Sequence, residues 1–95
     1  MSYEFESHDR KALRNLEKHG VSFGEAEMVF EDPLAATFDD PEHSTGEQRY
    51  YIIGLSSGRR LLAVWYTERG GSIRILSARP VTKRERKGYE NERQN

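Results

Sequence analysis

The chain has 95 residues, enough for one domain with one modest core, and no cysteine, which excludes a disulfide framework, a thiolate metal site and a cysteine nucleophile. With 33% of residues charged and 35% apolar, ten of them aromatic, it reads as a wet-surfaced globular domain rather than a disordered chain. The net charge of −1 hides a lopsided distribution: residues 1–48 hold 12 Asp/Glu against 4 Lys/Arg, and residues 49–95 hold 11 Lys/Arg against 4 Asp/Glu, so the second half can offer a basic face to a polyanion or an acidic protein.

In chain order, "YEF" at Tyr3–Phe5 predicts a short first strand. Ala12, Leu13 and Leu16 recur at helical spacing between Asp9 and His19, and Gly20 stands where a C-cap glycine belongs. "SFGEAEMVFED" opens a second helix with Ser22 and Glu25 in capping-box register, carries Phe23, Ala26, Val29 and Phe30 on one face, and ends at Asp32-Pro33. A strand follows over about Ala35–Phe38, then a polar loop. "RYYIIGL", "RRLLAVWYTE" and "SIRILSARPV", separated by "SSG" and "RGG", read as an antiparallel meander with short, tight hairpins. Thr82 and Glu85 form a second capping box, launching a last helix through roughly Tyr89, with residues 91–95 as a frayed tail. The expected fold class is α+β: one compact domain over 1–95, β-α-α, then the meander, then a C-terminal helix, with helices on one face or flank of the sheet.

No apolar run approaches the roughly 20 residues that span a bilayer, and the N-terminus lacks a signal peptide's apolar stretch, so the expectation is a soluble, cytoplasmic protein without membrane contact. Phosphate-loop, dinucleotide, zinc-protease and nucleophile-elbow motifs are absent, and His8, His19 and His43 lack metal-ligand spacing; neither metal nor cofactor is implied. His19 reads first as a partner for its helix dipole, and His43 stays open.

The basic second half carries the strongest functional signal. Uninterrupted alternation along "SIRILSARPV" puts Ile73 and Ile75 with Ser77 and Arg79 on one face, and Arg74 with Leu76 and Ala78 on the other. Pattern alone makes Arg74 a snorkelling or edge residue; Arg79, at the strand end beside a helix start, is the better functional candidate. Pairing through Gly70-Gly71 brings Thr67, Glu68 and Arg69 beside the strand that carries Arg74, so a carboxylate and several guanidiniums can converge on a phosphate. Glu85 reads first as the capping acid. Lys83, Arg84, Arg86 and Lys87 point around the helix, so some only solvate it. Tyr89 reads either as a packing residue or as a ring on which a base stacks.

Taken together, "NLEKHGVSFGEAEMVFEDPLA", "DDPEHSTGEQRY" and "YTERGGSIRILSARPVTKRERKGYE" resemble the BrnT family of bacterial type II toxin-antitoxin toxins over nearly the whole chain. The family's features fall on Asn15, Lys18 and His19; on Asp40 and His43; on Thr67, Glu68 and Arg69; on Arg74, Ser77 and Arg79; and on Glu85, Arg86 and Tyr89. The chain departs at Ser7 to Asp9, where relatives carry an aromatic-Asp-Pro. The resemblance implies a compact RelE-like domain and a metal-independent endoribonuclease that is inhibited by a BrnA-like ribbon-helix-helix antitoxin. It further implies two toxins on an antitoxin dimer, with DNA contacted only through the antitoxin.

On this reading the RNA 2′-hydroxyl is the nucleophile. Arg74 and Arg79 bind the scissile phosphate, Glu68 is the base, and Tyr89 is ranked first as acid ahead of Arg69 and His19. Arg69, Ser77, Lys83 and Arg86 bind substrate. The alternative is a non-catalytic interaction protein whose basic face holds an acidic partner or DNA.

Overall fold

A computed structural model describes residues 3–6 and 8–94, with side chains as far as residue 91; Ser7, at the sequence departure noted above, lies outside the described residues. Strand β1 (Glu4–Phe5) leads to helix α1 (Asp9–His19) and helix α2 (Phe23–Met28), which tightens into a 3-10 turn at Val29–Glu31. Then come β2 (Ala36–Asp39), a second 3-10 turn (Pro41–His43), β3 (Arg49–Leu55), β4 (Leu61–Arg69), β5 (Ser72–Pro80) and α3 (Lys83–Gln94). They form one five-stranded sheet in the order β1-β5-β4-β3-β2, antiparallel except where β1 runs parallel to β5. The α+β class and the meander are as the sequence predicts.

Local chemistry explains most of the boundaries. Gly20 closes α1 in the left-handed region at φ 69°, its N–H donating to the Leu16 carbonyl. Gly70 and Gly71, both at positive φ (55° and 88°), make the two-residue β4–β5 turn, whose twist matches that of the strands it joins. The second helix is shorter than its apolar periodicity suggests because the Val29 N–H already turns toward the Ala26 carbonyl, the tightening common in last turns. Helix α3 runs to Gln94, past the Tyr89 expected.

Alternation along the strands sorts their side chains onto two faces. Ile52, Leu62, Val64, Tyr66, Ile73, Ile75 and Ala78 pack with Val21, Ala26, Val29 and Phe30 from the α2 region to form the main core. A smaller cluster of Ile53, Leu61, Ala63 and Tyr89 lies on the opposite face, under α3. The helices therefore occupy both faces, not one.

Helix α1 departs furthest from expectation. Leu13 and Leu16, predicted on its buried face, are 61% and 46% exposed, and the buried residue is Asn15. The Asn15 amide accepts from the Ala78 N–H (3.0 Å) and donates to the carbonyls of Ala78 (2.8 Å) and Val21 (2.9 Å). The helix thus docks beside β5 through polar bonds to a strand backbone, which hydrophobic spacing does not record.

Candidate functional site: a cationic cleft on the open sheet face

One irregularity in β5 decides which residues meet. Ser77 pairs with Trp65 and Ile75 with Tyr66, so Leu76 is an extra residue in the ladder, a β-bulge. The bulge resets the alternation: Ile73, Ile75 and Ala78 all reach the main core. Arg74, Ser77 and Arg79 consequently share the other face. Uninterrupted alternation had separated Arg74 from the other two, and the single extra residue corrects that. Register adds a third guanidinium, since Thr67 is the Cα partner of Arg49 on one side and of Arg74 on the other.

Beside these residues is a cleft of about 390 Å³ lined by Lys11, His19, His43, Arg49, Trp65, Leu76, Ser77 and Arg79. Helix α1 brings Lys11 and His19, and the 3-10 turn after β2 brings His43. The nitrogen-rich lining includes no carboxylate among the described residues. The Nε atoms of both Arg49 and Arg74 are buried without a hydrogen-bond partner. Burial first, then the charges of Arg74 and Arg49, hold the Lys11 ammonium below its ordinary pKa, so three cations crowd one another here. A guanidinium that keeps one buried N–H without an acceptor, beside like charges, is an unfavourable arrangement that a nearby anion relieves.

The carboxylates around the cleft are engaged. Buried Asp40 is bonded to His43 Nδ1 at 2.9 Å, which orients the ring at the cleft. Arg69 bonds Glu47 at 3.2 Å, and this bond, ahead of the weaker pull of Arg49 and Arg74, holds the Glu47 carboxyl below its usual range. Arg79 grips Glu85 through both terminal nitrogens (2.8 and 2.9 Å), and the same bond lowers the Glu85 carboxyl against the opposing effect of burial. The Arg79 guanidinium also lies 4.8 Å from the centre of the Trp65 ring, a cation–π distance. Glu85 and Thr82 complete the reciprocal helix cap, with Thr82 N–H donating to Glu85 (2.9 Å) and Glu85 N–H to the Thr82 hydroxyl (3.2 Å).

Of the other residues singled out in the sequence, Glu68 is exposed at the end of β4, on the strand side shared with Tyr66 and Val64, so it faces away from Arg74. Tyr89 is buried in the smaller cluster and its hydroxyl donates to Asp32 at 2.7 Å, a packing arrangement, and it does not line the cleft. Arg69 is held by Glu47 at the rim, and Lys83 and Arg86 are exposed on α3. Sequence reasoning missed Lys11, Arg49, Glu47 and Trp65. The cross-strand register that reveals Arg49 becomes readable only once the β3–β4 pairing is fixed.

A small α+β domain with an anion-seeking cleft on one sheet face has the form of a protein that acts on a polyanion. Residues 8–85 match the model of the family described as "Ribonuclease toxin, BrnT, of type II toxin-antitoxin system", and the chain belongs to that family. In fold it is similar to the crystal structure of the Brucella abortus ribonuclease toxin BrnT, at 21% identity and a TM-score of 0.66, over 86% of this chain and 100% of that one. No curated protein matches the sequence. Among the described residues no group of three or more His, Cys, Asp or Glu is placed to hold a metal, and no helix is long and apolar enough to cross a membrane.

Proposed function

We propose that the chain is a metal-independent endoribonuclease toxin that cuts RNA in this cleft. The observation that carries the reading is the pair of buried, unpartnered guanidinium nitrogens on Arg49 and Arg74 beside Lys11. A phosphodiester in the cleft meets Lys11 and Arg49 directly and lies in the field of Arg74 behind them. Their charges stabilise the phosphorane that forms when the 2′-hydroxyl attacks the adjacent phosphorus.

In this mechanism His43, oriented by Asp40, accepts the 2′-hydroxyl proton at Nε2, and His19 donates a proton to the departing 5′-oxygen. The products are a 2′,3′-cyclic phosphate and a 5′-hydroxyl. This moves the base from Glu68, which faces away, to an imidazole that lines the cleft, and the acid from Tyr89, which is buried elsewhere, to His19. Ser77 and Arg79 border the bound strand; Arg69, Lys83 and Arg86 attract it from the rim. An RNA substrate supports a cytoplasmic location. Family membership supports a BrnA-like ribbon-helix-helix antitoxin, two toxins flanking its dimer, that binds DNA while the toxin does not.

The test is incubation of antitoxin-free protein with a defined RNA in EDTA. Cyclic-phosphate ends are expected, with cleavage reduced about 10²- to 10³-fold by Arg74→Ala. Intact RNA from the unaltered protein would sink the reading and favour a binding protein without chemistry.

A further inference from the structure

A second depression, about 220 Å³, lies next to the cleft on the same open face, between the β2–β3 edge and α3. Phe38, Tyr51 and Ile53 line it from the sheet, and Arg84, Gly88 and Tyr89 line it from the helix. The two depressions share a wall. Arg79 borders the cleft and is bonded to Glu85, which borders the groove. Trp65 borders the cleft and stacks on Tyr51 in the groove, ring centroids 5.4 Å apart and planes 21° from parallel; Tyr51 in turn stacks on Phe38 at 5.0 Å.

Gly88 gives the groove its significance. It sits inside α3, where glycine is among the least favourable residues, and a Cβ built there meets nothing within 4 Å. Neither close packing nor an unusual backbone calls for it. With no side chain, Gly88 borders the groove with backbone alone.

We propose that this groove seats a nucleobase of the RNA strand whose scissile phosphate lies in the cleft, a proposal that rests on the reading of the cleft given above. The volume is below the roughly 300–1,000 Å³ of sites for drug-sized ligands, and so suits a single ring system rather than a helix or strand of a protein partner. Its lining is aromatic and aliphatic apart from the exposed cation Arg84 and the Glu85 carboxylate, whose charge is offset by its paired bonds from Arg79; this matches a flat apolar base followed by a phosphate at Arg84. Continuity through the shared wall lets one strand occupy both depressions. Backbone charge is held in the cleft, and base identity is sampled in the groove.

The test uses two uncleavable probes and fluorescence anisotropy: a randomised single-stranded deoxyheptanucleotide pool, and an abasic heptamer with the same phosphates. The unaltered protein is expected to prefer the base-bearing pool. Gly88→Leu, which fills the groove from a helical position with open space around it, lowers affinity for that pool about tenfold and leaves the abasic probe unaffected. Phe38→Ala removes the opposite wall and produces the same selective loss without altering the helix.

Unchanged affinity of both variants for the base-bearing pool overturns the proposal. So does unchanged affinity of Gly88→Leu for that pool combined with lost antitoxin binding, which would assign the groove to a protein partner. Arg74→Ala weakens both probes alike; if it weakens neither, the cleft reading itself fails, a result distinct from any outcome at Gly88.

Discussion

The two faces of the sheet are built from alternate residues of the same strands and hold opposite kinds of chemistry. One face buries Leu62, Val64 and Ile75 against the α2 region, and the other carries Arg49, Arg74 and Arg79 around Trp65. The first is satisfied within the chain. The second gathers like charges and leaves two guanidinium nitrogens buried without a partner. Adjacent residues on one strand thus divide between holding the fold and presenting charge at the cleft.

The sharpest way to break this contrast is to damage one face and watch the other. Leu62→Ala removes a fully buried side chain from the core face and is expected to lower unfolding free energy by about 2–5 kcal/mol in a urea titration. RNA cleavage per folded molecule should stay intact. Reduced cleavage at full folding would show that the faces are coupled.

The reverse experiment is Arg74→Met. It keeps the aliphatic stem but removes an unpaired buried nitrogen and one of three crowded charges, so cleavage is lost while stability rises by about 0.5–1 kcal/mol. A fall in melting temperature would mean that the guanidinium is already satisfied within the chain, removing the main support for the cleft.

A smaller effect concerns pH and leaves the cleft untouched. Arg60 hydrogen-bonds the Glu25 carboxylate and holds its pKa below the usual range, against the opposing effect of burial. A carboxyl depressed in the folded state contributes stability above its unfolded pKa and loses it as pH falls through the folded value. Melting temperature should therefore drop as pH is lowered from about 5 toward 3, and Glu25→Gln should make the curve shallower. Because Arg60 is substantially exposed, salt weakens the effect. An unchanged slope in Glu25→Gln would place the acid sensitivity elsewhere, with Glu85 next in line.

The contrast between faces also explains what the sequence made legible. The meander could be read because alternation and the paired glycines at residues 70 and 71 agree locally. Arg74, Ser77 and Arg79 could be named as site residues, but their convergence could not, because Leu76 adds one residue to β5 and inverts the alternation beyond it. Glu68 looked close to the arginines because it is close in pairing; its side of the strand takes it away. Tyr89 left two readings open, and its buried ring and bond to Asp32 match the packing one. Lys11 and Arg49 were invisible as site members because a helix docked beside β5 and a cross-strand register bring them in. Gly88 carried no sequence signal at all, being an ordinary glycine until its open surroundings are seen.

Asn15 has a consequence beyond holding α1. Its amide offers the backbone of β5 one acceptor and one donor, as the peptide group of a neighbouring strand would, and with β1 pairing the first residues of β5 that margin of the sheet is occupied. At the opposite margin β2 is paired on one side only among the described residues. An unpaired strand edge is a template for another chain. The other edge strand, β1, is only two residues long, so β2 offers the longer template, and a strand added there would run alongside the aromatic ladder that begins at Phe38.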